Sequence, residues 1–447
     1  MNVVMASDGK LGPVRVWALS AGGMVGGGIY IALGVVIAVA GQWAWASFLL
    51  AGVVAVISAF SYGRLSSHFG KSGGAFEFLE EMDRRSLAGS LSWLLMIGYT
   101  LTISVYVYAF GHYVAYAFGG GEMLIRGLGA GAGILLIGLN LAGLGKMTSV
   151  EVVIVSVNLL VLLVLAIWGM SEWSTPALTA GIEPRPPSGA LVGAAAIFVS
   201  YEGFQLLTYE YDEIRDAKRV FTPILASSAI FVVLVYIAVT LGGTMLAGAL
   251  TVVDRKQIAL SIAAEEAAGT AGLVVMTIAA GFATAAAINS TLFSTAKLAA
   301  RVARDGELAA WFDHENGQGV PDRPVVLIGI LATAMALIGS LSSLVEAASL
   351  VFLATFVVVN VVCAREMRRQ RAIPIVGAVL GGIIGVVLLA RLAVTAPIPL
   401  AILLVLAALV FLGRPLVLKR VRTEGSKDRE DGDGDASDAD TDEEKGS

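Results

Sequence analysis

Two stretches of this chain place polar chemistry where an apolar helix would normally exclude it. Residues 19–30 carry Gly22, Gly23, Gly26, Gly27 and Gly28, a glycine cluster in the middle of what reads as a membrane-spanning helix. Each glycine weakens a helix and opens backbone N–H groups to close approach by a ligand. At membrane depth such a cluster suggests a helix unwound to face a polar cavity. Close packing through small residues is the alternative, because Gly22 to Gly26 and Gly23 to Gly27 also fit small-xxx-small spacing. The second stretch, 194–205, sets Glu202 beside Gly203 in another apolar run. A carboxylate in hydrocarbon costs at least a few kcal/mol, so Glu202 must face a cavity or a partner.

The elements that hold these groups follow from composition. With 57% hydrophobic and 15% charged residues over 447 positions, and a mean hydropathy of +0.82, the chain cannot form a soluble domain with an ordinary surface. It reads as an all-helical polytopic membrane protein. Apolar runs near 14–38, 43–63, 89–118, 123–143, 149–170, 190–209, 223–248, 270–299, 324–342, 345–364, 373–394 and 397–417 give twelve expected spans. The two glycine-bearing irregularities then fall in the first and sixth spans. An inverted repeat of two five-helix halves, each opening with a broken helix, produces that correspondence. The expected organisation is a terminus 1–13, a first repeat 14–170, a second repeat 190–366, two further helices 373–417 and an acidic, disordered tail 421–447.

Charge supports this arrangement. If both termini are cytoplasmic, 25 of the 30 Lys and Arg residues fall on that side, leaving only Arg126, Arg185, Arg255, Lys256 and Arg391 outside. The expected location is the cell membrane. From Glu424 onward the net charge is about −8, so the overall −5 leaves about +3 on the body. The tail reads as a solubilising segment, with partner binding as the alternative. Residues 1–15 are short and mixed, which predicts no cleavable signal. Cys363 is the only cysteine, so no intrachain disulfide can form, and His68, His112 and His314 are too scattered to suggest a metal site. No cofactor and no nucleic-acid partner are expected.

At its motifs the chain resembles the amino acid–polyamine–organocation superfamily of amino acid permeases. Residues 22–30 are similar to that family's first-helix motif, and Phe198-Val199-Ser200-Tyr201-Glu202-Gly203-Phe204 resembles its broken sixth helix. The acidic-then-basic stretch 210–219, the loop residues 61–65 and 71–76, and Ala303-Arg304-Asp305-Gly306 with Glu307 and Leu308 also match in order. The resemblance covers 14 to about 310; the last four spans agree only in number and topology. It implies a leucine-transporter-like core of ten helices plus two more, with a substrate site halfway across the bilayer.

A free amino acid offers a carboxylate and an ammonium. N–H groups after Gly26, Gly27 and Gly28 would receive the carboxylate at a helix N-terminus. Carbonyls freed near 20–23 and 198–201, including that of Ser200, would accept the ammonium. Three readings of Glu202 stay open, since the family pattern has an uncharged residue there: it binds a cationic group, it carries the proton, or it pairs with a donor to hold the break. Tyr201, Phe204 and Tyr209 read as aromatic lining or as ordinary packing. Ser290 and Thr291 are candidate sodium ligands, or hydroxyls bonded back to their own helix. Some proton-coupled relatives carry a Lys where Ser149 stands here; none is present, and Lys146 lies nearly one turn earlier. Glu151 is a candidate proton group or a helix-start charge. His112 reads as a pH sensor or a structural hydrogen-bonding group, and 212–219 as a cytoplasmic gate or a solvated turn.

The function expected is secondary transport of amino acids or related amines by alternating access, coupled to protons or sodium or working by exchange. No GxxxxGK[ST] or HExxH motif occurs, and the charges within the apolar runs are isolated rather than convergent, so neither an ATP motor nor a membrane-embedded hydrolase is indicated. A non-transporting sensor of the same fold and an ion channel are the alternatives, though a channel would want a continuous polar lining.

Overall fold

A computed structural model describes residues 10–144 and 149–413. By internal contacts the chain divides into one unit ending at Leu400 and a second beginning at Ala401. Lys146 and the tail 421–447 lie outside the described residues.

The first unit opens with α1 (Pro13–Val25), α2 (Gly28–Ala40) and α3 (Ala44–Phe69). Pro13 fits the first turn of α1, where its missing N–H costs nothing. Gly70 ends α3 in the left-handed conformation, its N–H returning to the Ser66 carbonyl. The short α4 (Gly74–Glu80) precedes α5 (Arg85–Ala117), α6 (Glu122–Leu139) and α7 (Ser149–Ser171). After a connection come α8 (Gly189–Ala196), α9 (Ala217–Ala247), α10 (Ala249–Asp254) and α11 (Ala259–Arg304). Then follow α12 (Asp322–Ile338), α13 (Leu341–Glu366), α14 (Ala372–Thr395) and α15 (Pro397–Ala408), which crosses into the second unit; helix continues there through Gly413. Among the described residues there is no β-strand, only an isolated parallel bridge of Leu11 with Ile214.

Among the described residues eight helical stretches are long and apolar enough to cross a membrane, or nine if the bent pair Gly189–Ala196 and Phe198–Glu213 is one span. The first of them, Pro13–Phe69, contains two of the runs read from sequence, whereas the 17-residue α12 and the apolar Pro397–Leu412 are shorter than that standard. Length and apolarity alone therefore give fewer spans than the expected twelve. Boundaries also move. Within α11 the run expected at 270–299 starts where expected, directly after Ala268 and Gly269 leave helical geometry and separate it from the stretch 259–267, and it ends later, at Arg304. The run at 190–209 stays α-helical only to Ala196.

Small residues set how closely helices approach. A Cβ added to Gly169 on α7 would lie 2.0 Å from the Gly242 carbonyl oxygen on α9, and one on Gly242 would lie 2.5 Å from that of Ala166. The two backbones are in direct contact, which Cβ atoms would prevent. Near the far ends of α13 and α14, Arg391 Nε and Nη2 both donate to Glu346 Oε1 at 3.1 Å. The Glu346 side chain is 3% exposed, so the pair is a buried one on its acidic side.

Gly242→Val forces α7 and α9 apart and is expected to cost at least about 1–3 kcal/mol. The check is the melting temperature of purified protein, which should drop clearly against Gly243→Ala, where an added Cβ meets only side chains, at 3.3 Å and beyond.

Candidate substrate site

The first break is short. Gly26 donates its N–H to the Gly22 carbonyl at 2.8 Å and so closes α1, Gly27 leaves helical geometry at φ −134°, and α2 starts at Gly28. The expected freeing of carbonyls at 20–23 is corrected here: these residues lie inside α1, and the Gly22 carbonyl is taken by Gly26. The Gly22-Gly23 pair stays helical where it packs against Val155 and Gly203, and the break falls in the longer run Gly26-Gly27-Gly28, where helix propensity is lowest.

The second break is longer. After α8, Phe198–Tyr201 forms one 3-10 turn, Glu202 is extended at ψ 146°, and Gly203 takes φ +130° before a further 3-10 segment, Phe204–Glu213. Only glycine adopts that φ without strain. It is also the only residue that fits, because a Cβ on Gly203 would sit 2.3 Å from the Gly23 carbonyl carbon. A Cβ on Gly28 would likewise lie 2.6 Å from the Ser200 carbonyl oxygen. The two breaks touch backbone to backbone.

Side chains from intact helices satisfy the broken backbone. The Tyr236 hydroxyl on α9 lies 2.7 Å from the Met24 carbonyl and 2.8 Å from the Ser200 carbonyl, so its one proton is shared between the two breaks. Ser349 on α13 accepts from Val199 N–H at 3.0 Å and donates to the Ala196 carbonyl at 3.0 Å. The Ser200 hydroxyl reaches toward the Gly28 carbonyl at 3.5 Å. Tyr201 donates to the Phe48 carbonyl at 2.7 Å, and its ring packs on Tyr236. Phe204 meets Tyr62 and Phe356 in an aromatic cluster, while the Tyr209 and Tyr99 hydroxyls lie 3.4 Å apart.

Glu202 is 1% exposed. Its Oε2 accepts from the Tyr106 hydroxyl at 3.3 Å and its Oε1 from Gln205 Nε2 at 3.1 Å. Gln205 is oriented by the Gly203 N–H, which donates to its Oε1 at 3.0 Å. Among the described residues no Lys, Arg or His forms an ion pair with Glu202. Tyr106 also lies across the first break: a Cβ on Gly27 would fall 2.1 Å from its ring.

Beside the touching breaks runs a cavity lined by Gly22, Gly23, Gly26 and Gly203 together with Glu151, Asn158 and Ser290. It brings Glu151 and Ser290 to the glycines, but Thr291 is buried without lining it. The Ser290 hydroxyl donates back to the Ala286 carbonyl at 3.0 Å. Tyr30 donates to Asn158 nearby. Tyr106, Tyr236, Asn158, Gln205 and Ser349 were not singled out from sequence. A lone Tyr or Ser in an apolar helix carries no local signal of the carbonyl it will meet.

On the face formed by α4 and the end of α11, charges are paired. Lys297 bonds Glu210 at 2.8 Å, Arg301 bonds Glu77 at 3.0 Å, and Ser72 exchanges two hydrogen bonds with Asp212. Burial pushes the Glu77 carboxyl up, while Arg301 and Lys71 pull it back. Of the expected gate 212–219, Asp212 joins this closure and also lines a groove with Asp216, Lys218, Arg219 and Lys10. His112 stacks on Tyr108, its Nδ1 2.9 Å from the Tyr108 carbonyl, in a separate pocket with Glu122 and Arg126.

A family model described as amino acid permease matches residues 11–414. The chain belongs to the amino acid permease family. That places it in the amino acid–polyamine–organocation superfamily, as a multi-pass membrane protein. The permease is 29% identical over 379 residues to the inner membrane transport protein YbaT of Escherichia coli, covering 79% of this chain and 85% of that one. It is 26% identical over 363 residues to a methylthioribose transporter of Bacillus subtilis, covering 77% and 78%. It is 26% identical over 385 residues to cationic amino acid transporter 4, vacuolar, of Arabidopsis thaliana, covering 80% of the permease and 63% of the plant protein. Relatives with these names are transporters rather than enzymes, which supports membrane transport here.

Tyr236→Phe leaves two break carbonyls without their donor and is expected to cost about 1–3 kcal/mol. Thermal melting of the purified permease checks it. Gly203→Ala should be worse than Tyr236→Phe in the same assay, since it adds backbone strain to a backbone clash.

Proposed function

We propose that this permease is a secondary active transporter of amino acids or closely related amines, working by alternating access between two sides of the cell membrane. The observation that carries the reading is the contact of the second break with the helix ends that flank the first, Gly203 against Gly23 in the last turns of α1 and Ser200 against Gly28 at the start of α2, beside a buried carboxylate, Glu202, that has no cationic partner among the described residues. An ionised carboxylate held that way is costly unless a positive group joins it. A substrate ammonium or a proton supplies that charge, and the two neutral donors it already has, Tyr106 and Gln205, do not.

In this reading the substrate carboxylate approaches the backbone at Gly26, Gly27 and Gly28, with the dipole of α2 behind it. The positive group goes to Glu202, and Ser200, Tyr201 and Phe204 border the site. Gly22, Gly23 and Gly203 keep the breaks close enough to act together. Glu151, Ser290 and Thr291 are the positions proposed for the coupling ion; the first two share the cavity beside the breaks. The wider arrangement is twelve helices in a 5+5 inverted repeat, 14–170 and 190–366, followed by 373–417, with both termini cytoplasmic. The α4 face, closed by Glu210, Lys297, Glu77 and Arg301, is then the cytoplasmic gate. Named relatives that carry cationic amino acids and methylthioribose support a small polar solute.

Uptake of a labelled amino-acid panel into proteoliposomes, under an imposed proton gradient, a sodium gradient or neither, tests this. Accumulation driven by one gradient identifies substrate and coupling ion together, and exchange alone identifies an antiporter. Silence of well-folded protein in every condition rejects amino acid transport. Glu202→Gln is expected to lower uptake at least about tenfold, equivalent to 1.4 kcal/mol, with little change in melting temperature. Unaltered uptake would leave Glu202 only a structural part.

A further inference from the structure

Besides Tyr236, a second side chain touches both breaks. The Tyr106 ring lies against Gly27, where an added Cβ would come within 2.1 Å of it, and its hydroxyl donates to Glu202 Oε2 at 3.3 Å. The ring thus covers backbone of the first break while the phenol occupies one oxygen of the carboxylate at the second. Tyr106 is 2% exposed, and α5 runs through it without interruption, so the side chain can leave by rotating about its own χ torsions while the helix stays in place.

We propose that Tyr106 is a built-in competitor for the substrate site, held in place of the ligand and displaced by it. The inference rests on the reading that Glu202 receives the positive group of the substrate. Its selectivity follows from bond strengths. A neutral phenol at 3.3 Å makes a weak hydrogen bond, whereas an ammonium makes a shorter, charge-assisted one to a carboxylate. A ligand carrying an ammonium therefore wins the exchange at Glu202. A ligand that offers only a hydroxyl there gains nothing over the phenol it must evict. Tyr106 thereby sets a threshold that admits amines and rejects their hydroxy analogues, and Gly27 is glycine because a ring must be able to rest on it.

The test is ligand binding to the purified, full-length protein in detergent, wild type against Tyr106→Phe, by isothermal titration with each free L-amino acid and with the matching α-hydroxy acids. Phenylalanine keeps the ring and removes the competing hydrogen bond. Amino acids that bind the wild type should bind Tyr106→Phe about five- to tenfold more tightly, the scale of one ordinary hydrogen bond. The hydroxy acids should bind the wild type at least tenfold more weakly than their amino acids. Damage to the fold would weaken binding, so a gain cannot come from it. Equal or weaker affinity in Tyr106→Phe overturns the competitor role and leaves the amino acid reading standing. Hydroxy acids binding as tightly as amino acids overturn the threshold. If no amino acid binds either protein, the amino acid reading fails and this inference falls with it.

Discussion

Breaking a helix inside a bilayer exposes N–H and C=O groups to a medium that offers them nothing, and the site depends on how the protein meets that constraint. It meets it with side chains from helices that stay whole. Tyr236 on α9 and Ser349 on α13 serve carbonyls or N–H groups at the breaks, and Gln205 ties Gly203 to Glu202. The consequence is mechanical as well as energetic. Because one Tyr236 hydroxyl serves Met24 and Ser200, the two broken segments are held by the same point on an intact helix, and neither can shift without the other registering it. Backbone contact between Gly23 and Gly203 reinforces the link.

Charge is distributed in keeping with this. At the α4 face Lys297, Arg301, Glu77 and Glu210 neutralise one another, half-exposed on the basic side. At the breaks, by contrast, Glu202 is hydrogen-bonded by the Tyr106 hydroxyl and the Gln205 amide. Among the described residues it has no ion-pair partner, and its donors are neutral ones that a stronger partner can replace.

Much of the membrane character and the position of both breaks were readable from composition and from glycine spacing. A helix with Gly26-Gly27-Gly28, or with a carboxylate next to Gly203, violates local propensity strongly enough to be seen without knowing its neighbours. The extent of each break was not readable. Helix geometry persists through Gly22 and Gly23 because packing against Val155 and Gly203 supports it, which sequence alone does not show. The partners Tyr106 and Tyr236 were equally invisible, since their role arises from contacts 96 and 212 residues away in the chain. The 17-residue α12 shows the limit of length as a criterion: it starts after Pro321 and stops at Gly339, which is extended.

The pair Arg391–Glu346 bears on how the last part of this chain is made. Helix α14 is otherwise apolar, and its arginine is the one strongly charged residue in the span Ala372–Thr395. Presented alone to lipid during synthesis, that guanidinium opposes insertion; presented to Glu346 on the preceding helix, it enters already neutralised and hydrogen-bonded. Burying Arg391 therefore costs least when α13 already lies beside α14, because a charge on one helix has its solvent on the other.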